Sequence, residues 1–104
     1  MIKFSIFYPY KEGYTFDMDY YVKTHLGSLL QEKMGAAVKG VAIERGLGDG
    51  TPTGKPPYVA VGHILFESME SFGKAFAPAA AALQADVANY TNITPFAQIS
   101  EVIR

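Results

Sequence analysis

Two segments of this chain are patterned as β-strands with apolar residues on both faces, and they limit the possible folds more than any other feature. In residues 2–8, the alternate positions Ile2, Phe4, Ile6 and Tyr8 form one face, and Phe7 joins Ser5 on the other. In residues 58–67, one face carries Val59, Val61 and Leu65, and the other carries Ile64 and Phe66. Such strands are expected in the middle of a sheet that is covered on both sides.

Helical patterns separate the strands. Residues 17–33 carry an apolar stripe at spacings of three and four, with Thr15 as the predicted N-cap. The stripe consists of Met18, Tyr21, Val22, His25, Leu26, Leu29 and Leu30. A second helix is expected to begin after Ser68, to be interrupted at Pro78 and to resume over residues 79–86.

The element order is therefore β-α-β-β-α-β, with further strands over residues 38–45 and 96–103 and a Gly- and Pro-rich loop over residues 46–57. This order predicts a single α+β domain, residues 1–104, of the ferredoxin-like type. It has one antiparallel four-stranded sheet with both helices on one face, and the first and third strands are central. Because no element is left to cover the other face, we expect a homodimer that pairs its sheet faces.

Composition excludes several classes of function. The 104 residues include no Cys, which rules out disulfides, thiolate metal sites and a cysteine nucleophile. The formal net charge is −1 and no basic run occurs, so a nucleic-acid partner is not expected. No 18-residue apolar run and no signal-peptide pattern is present, so we expect a cytoplasmic protein that does not span a membrane. With two His and no supporting carboxylate spacing, we expect no metal site and no cofactor.

The segment around the first helix resembles the signature of the EthD-like family. It contains Phe16-Asp17, the pair Tyr20-Tyr21, three spacer residues, and then His25-Leu26. Residues 86–95 and the last strand are also similar to the family, so the resemblance covers nearly the whole chain. One departure is Gly27, since family members often have Pro two residues after the His.

This resemblance implies a dimeric α/β barrel in which two sheets face each other. It also implies kinship with small cofactor-free monooxygenases and lactone isomerases. The family is named after a protein encoded beside a cytochrome P450 system that degrades ethyl tert-butyl ether, and most of its members lack an assigned reaction.

His25 and Tyr21 are the candidate catalytic residues. His25 lies on the apolar stripe one turn after Tyr21, where it can act as a general base or donor, or be a buried structural histidine. Tyr21 can share that pocket or be a core aromatic residue. Tyr20 points about 100° away from Tyr21 on an α-helix, so we do not expect both to face one pocket equally.

Tyr8, Phe72 and His63 are the candidate ligand-binding residues. Tyr8 and Phe72 are expected to line a pocket with His25 and Tyr21, whereas His63 can either approach His25 or face the dimer partner. We therefore expect a protein that binds a small apolar or aromatic metabolite, such as an ether. If it is an enzyme, we expect cofactor-free proton transfer or oxygenation. One alternative is a non-catalytic accessory protein that supports a partner enzyme. The other is a degenerate barrel without a ligand site, whose only role is assembly.

Overall fold

The computed structural model describes all 104 residues. Four strands form one sheet: β1 (Ile2–Pro9), β2 (Gly40–Arg45), β3 (Tyr58–Phe66) and β4 (Phe96–Glu101). The strand order is β2-β3-β1-β4, and every neighbouring pair is antiparallel. The predicted α+β class is confirmed, and the two strands with apolar residues on both faces are the central ones.

The first helix, α1, has three parts: α-helical Met18–Tyr20, π-helical Tyr21–Leu29 and α-helical Leu30–Met34. Asp17 caps it, because the Asp17 carboxylate accepts the Tyr20 backbone N–H at 3.0 Å. The prediction of Thr15 as N-cap is therefore wrong: the Thr15 backbone N–H is instead bound by the Asn92 side chain at 2.9 Å.

The second long helix, α2 (Met69–Asp86), is capped by Ser68 as predicted, through the Ser71 backbone N–H at 3.1 Å. It continues through Pro78, so the predicted interruption is wrong. A proline inside a helix costs about 3 kcal/mol. Apolar contacts on both sides of Pro78, at Phe76, Ala79 and Leu83, offset that cost and keep the helix in one piece.

The core lies between the two helices and one face of the sheet. β1 contributes Ile2, Phe4, Ile6 and Tyr8, as the alternation predicts. Val59 also belongs to this core, which corrects the prediction that it shares a face with Val61. The cause is an irregularity in the β1–β3 pairing at Tyr8 and Pro9, which turns Val59 toward the helices.

Gly62 allows α1 to lie very close to the sheet. A Cβ atom at Gly62 would collide with the Tyr21 hydroxyl and would lie 2.8 Å from Leu26 Cδ1. Because Gly62 has no side chain, the π-helical part of α1 can pack directly against β3.

The other side of the sheet, here called the open face, carries no element of this chain. Phe7 stands there in contact with Tyr58 and Phe96, at ring-centre distances of 5.1 and 5.4 Å. By strand register, Ser5, Val61 and His63 share this face. None of the helices is long and apolar enough to cross a membrane.

Candidate functional site

A cavity of about 260 Å³ lies between the helices and the inner face of the sheet. His25, Tyr8 and Gln84 are its hydrogen-bonding side chains, and no Lys, Arg, Asp or Glu lines it. Its apolar wall includes Phe4, Ile6, Ile64, Phe76 and Leu83. Because it offers no charged side chain, this cavity suits a neutral, mostly apolar molecule.

His25 is held by a carboxylate. Its Nδ1 lies 2.9 Å from Oδ2 of Asp86, the last residue of α2. Both side chains are largely withdrawn from solvent, with 7% of His25 and 11% of Asp86 exposed. An ionised carboxylate can only accept hydrogen bonds, so Nδ1 carries the proton and donates it.

Asp86 is ionised because three neighbours donate to it. Burial alone would raise its pKa, but hydrogen bonds from Tyr20, Asn89 and His25 lower the pKa below its ordinary value. The Tyr20 hydroxyl donates to Oδ1 at 2.6 Å, and the Asn89 side-chain amide donates to the same oxygen at 2.9 Å. Asp86 is therefore an anchored anion that fixes the orientation of the imidazole.

The second ring nitrogen of His25 is free. Burial lowers the pKa of His25, and Asp86 offsets only part of that effect. The imidazole is therefore neutral near pH 7, with Nδ1 protonated and a lone pair on Nε2. Nε2 has no hydrogen-bond partner in the protein. The Tyr21 hydroxyl is the only side-chain polar atom that is both fully buried and without a hydrogen bond, so Nε2 is accessible from the cavity. A neutral histidine with an oriented, accessible lone pair is the arrangement of a general base.

Tyrosines surround this histidine. The Tyr8 and Tyr90 hydroxyls are hydrogen-bonded at 2.7 Å, and the Tyr90 ring lies 4.6 Å from the His25 ring. Tyr21 stacks on His25 at 5.7 Å, and its hydroxyl is near Tyr8 but makes no hydrogen bond. Burial raises the pKa of Tyr8, Tyr21 and Tyr90, which keeps all three phenols neutral.

The segment after α2 is held in place by the loop before α1. The Asp17 backbone N–H donates to the Tyr90 carbonyl at 2.8 Å, and the Thr91 hydroxyl donates to the Thr15 carbonyl at 2.6 Å. Phe16 and Thr91 also form an isolated β-bridge. These bonds place Tyr90 beside His25 although the two are far apart in sequence.

The structure brings only some of the predicted site residues together. His25 and Tyr8 line the cavity, and Tyr21 packs against His25 behind the cavity wall. Phe72 lies one layer back, stacked on the cavity residue Phe76 at 5.1 Å. His63 is on the open face, where its Nδ1 lies 2.8 Å from the Ser5 hydroxyl, so it does not approach His25.

Sequence reasoning missed four residues of the site. Asp86 is the last residue of α2, Asn89 and Tyr90 follow it, and Tyr20 reaches Asp86 from α1. One signal was available for Asp86: an acidic residue at the C-terminal end of a helix is disfavoured by the helix dipole, so its presence suggests another role. No group of three or more His, Asp or Glu side chains is placed to hold a metal ion.

The lowered pKa of His25 predicts a loss of stability as the pH falls below about 6.5. The unfolded chain, with an ordinary His pKa of about 6.5, takes up the proton before the folded protein does. Stability from the neutral imidazole is thus complete above about pH 6.5 and declines as the pH falls toward the folded pKa. Asp86 contributes only at lower pH, because its ordinary value is 3.8 and its folded pKa lies below that.

Thermal unfolding of the parent and of His25→Gln across this range measures the effect. The variant should lose less stability than the parent on acidification, because the two proteins differ only at residue 25 and the variant lacks the imidazole that takes up the proton. A parent that gains stability relative to the variant as the pH falls would contradict the lowered pKa.

The comparisons with known proteins agree with this fold. A solved structure from Thermobifida fusca, described as a dimeric ferredoxin-like protein of unknown function, matches 97% of this chain and 90% of its own, with a TM-score of 0.59 and 15% identity. The structure of this chain therefore belongs to the ferredoxin-like class, whose solved neighbours include proteins described as dimeric.

The family is also defined. The EthD domain profile matches residues 14–94, which include both the Tyr20–His25 segment and Asp86. An EthD-like protein from Ralstonia eutropha JMP134 is 36% identical over 99% of this chain and 92% of its own, with a TM-score of 0.90. The chain belongs to the EthD family.

A more distant relative has the same fold. A protein from Bacillus halodurans C-125, described as an ethyl tert-butyl ether D (EthD) family protein, is 19% identical over 99% of both chains, with a TM-score of 0.71. A search of curated proteins found no match.

Proposed function

We propose that this EthD-family protein binds a small neutral apolar or aromatic molecule in the cavity beside His25 and removes a proton from it. The observation that carries the proposal is the His25–Asp86 pair: Nδ1 is fixed at 2.9 Å by an anchored carboxylate, and Nε2 is left free at an apolar cavity. Tyr8 is the second polar group within reach of a bound molecule.

In this mechanism, Nε2 of His25 takes a proton from a hydroxyl or from an acidic C–H of the ligand. The imidazolium that forms is stabilised by Asp86, whose charge is already in place before the reaction. The apolar wall excludes water and strengthens that interaction. Return of the proton at another atom gives an isomerisation. Alternatively, the deprotonated carbon forms a C–O bond with O₂, and the proton from His25 completes a hydroperoxide. Loss of water from that hydroperoxide, with cleavage of the O–O bond and of a C–H bond at the same carbon, leaves a carbonyl, so the ligand itself supplies the electrons.

The proposed active form is a homodimer that pairs two open faces. Solved neighbours are described as dimeric, and the aromatic cluster of Phe7, Tyr58 and Phe96 on the open face supports the same assembly here. The cavity lies on the opposite side of the sheet, so each protomer keeps its own His25.

A screen of neutral compounds for thermal stabilisation tests the binding proposal. It should include phenols, aromatic ketones and ethers, since the name of the Bacillus halodurans relative refers to an ether. A compound that binds only the folded protein raises the unfolding temperature. At a concentration of a hundred times its Kd, it increases the free energy of unfolding by about 2.7 kcal/mol.

The matched control is Ala80→Leu, which adds a larger side chain at the cavity wall. The variant should abolish stabilisation by any compound that binds in the cavity. A compound that still stabilises Ala80→Leu fully binds elsewhere. If a compound binds in the cavity but is not altered by the protein, the accessory role, in which the protein carries a ligand for a partner enzyme, is favoured.

A further inference from the structure

Helix α1 is not wound as a regular α-helix where it carries the site. Residues Tyr21–Leu29 have π-helical winding that is interrupted by a kink at Gly27, whose angles φ −108° and ψ −105° are not helical. The break comes two residues after His25 and directly after Leu26, the two residues of this stretch that contact the cavity. Irregular winding therefore coincides with the functional residues of the helix.

The winding decides which side chains meet at Asp86. Tyr20 and His25 are five residues apart, and both donate to this one carboxylate, at 2.6 and 2.9 Å. In a regular α-helix, residues five apart point about 140° away from each other. The i→i+5 hydrogen bonding of a π-helix reduces this angle and brings residues five apart closer to one side of the helix. The wider turn thus helps Tyr20 and His25 reach the same carboxylate.

Only glycine fits at the break. A Cβ atom added at Gly27 would lie 2.7 Å from the carbonyl oxygen of Val22, which is five residues earlier. That oxygen belongs to the backbone of the same helix and cannot move aside as a flexible side chain can. Any other residue at this position must alter the turn between Val22 and Gly27, which contains His25.

We propose that Gly27 is a positioning residue: the wide turn that it permits brings Tyr20 and His25 together on Asp86 and thereby fixes the free Nε2 at the cavity. The use of Nε2 in chemistry rests on the proposed function, whereas the placement of the ring does not. Tyr20 is a second positioning residue, because its hydroxyl donates to Oδ1 of Asp86 while His25 donates to Oδ2.

The titratable groups around His25 limit how its signals can be interpreted. Tyr21 packs on it from its own helix, Asp86 bonds it from α2, and Tyr90 contacts it from the segment that follows. Tyr8 shares the cavity from β1. The three buried phenols stay neutral, so Asp86 is the only charged group in contact with the ring.

Nitrogen-15 NMR of the imidazole tests the proposal without any ligand, because it reports which ring nitrogen carries the proton. The parent should show protonated Nδ1 and a His25 pKa below the ordinary value. Gly27→Ala should lose the Nδ1–H signature in favour of the Nε2–H form of a free histidine, and its His25 pKa should return toward about 6.5. The control, Gly73→Ala, places a Cβ with nothing within 4 Å in an exposed part of α2 and should change neither signal.

A folded Gly27→Ala protein with an unchanged His25 tautomer and pKa would overturn the proposal. If Gly27→Ala does not fold, the His25 titration of the Tyr20→Phe variant tests the proposal instead. Removing the Tyr20 donor leaves more negative charge on Asp86 for the imidazole, so the pKa of His25 should rise above that of the parent. An unaltered His25 titration in Tyr20→Phe would show that the two side chains do not share a carboxylate, and the proposal fails. If Gly27→Ala keeps the parent signals and still binds a cavity compound, this proposal fails while the proposed function stands.

Discussion

Replacement of His25 with Gln is expected to lower turnover, or binding, of an identified cavity compound about a hundredfold, which corresponds to about 2.7 kcal/mol. Gln keeps a polar side chain that can still donate to Asp86, so the fold and the oligomeric state should survive. What it lacks is a basic lone pair that accepts a proton near neutral pH. The loss should therefore appear mainly in kcat for a catalysed proton transfer, with a smaller change in KM.

His63→Gln is the matched control for this experiment. It makes the same substitution at the only other histidine, which lies on the opposite face of the sheet, bonded to Ser5 and next to Glu44. Activity and binding should stay near the parent values in this variant. Equal losses in both variants, or none in His25→Gln with the fold intact, would remove His25 from the proposed chemistry and leave it as a structural histidine.

Replacement of Val61 with Glu is expected to convert the homodimer to monomers or to weaken the dimer by more than a factor of about 100. Val61 lies on the open face, and strand register places Glu44 directly opposite it on β2. A second carboxylate there is repelled by Glu44, and it would have to be buried without a partner when two open faces meet. Sedimentation at micromolar concentration measures the assembly directly.

Val22→Glu makes the same change on a surface away from the proposed interface. Val22 is 44% exposed and lies on α1, so this variant should remain dimeric. A parent protein that sediments as a monomer would refute pairing through the open face. Dissociation of Val22→Glu with retention of the Val61→Glu dimer would place the interface on the helices instead.

Much of the fold could be predicted because it follows from local patterns. The alternation in residues 2–8 and the two apolar faces of β3 identified the central strands, and the spacing of Tyr21 and His25 placed them on one helix. Features that depend on tertiary contacts were missed. Continued helix at Pro78 requires the apolar contacts on both sides of it, and the orientation of Val59 follows from an irregular pairing with β1 that no single strand encodes.

The site shows the same division. Sequence spacing located His25, but Asp86 is 61 residues away in the chain and meets it only through packing of α2 on α1. Tyr20 is predicted not to share one pocket with Tyr21, and it does not line the cavity. Its contact with Asp86 depends on the packing of α2 and cannot be predicted from spacing within α1. Gly27, noted as a departure from the family, marks the place where α1 leaves regular helical geometry.

The proposed pairing of two open faces would make the stability of this protein depend on its concentration. In the proposed dimer, the partner acts as a ligand that only folded protomers can bind, so mass action raises the unfolding temperature with protein concentration. Each tenfold dilution removes about 1.4 kcal/mol per dimer. Expression level would then determine both the fraction of dimer and the resistance of the protein to unfolding. Unfolding temperatures of variants would be comparable only when they are measured at the same protein concentration.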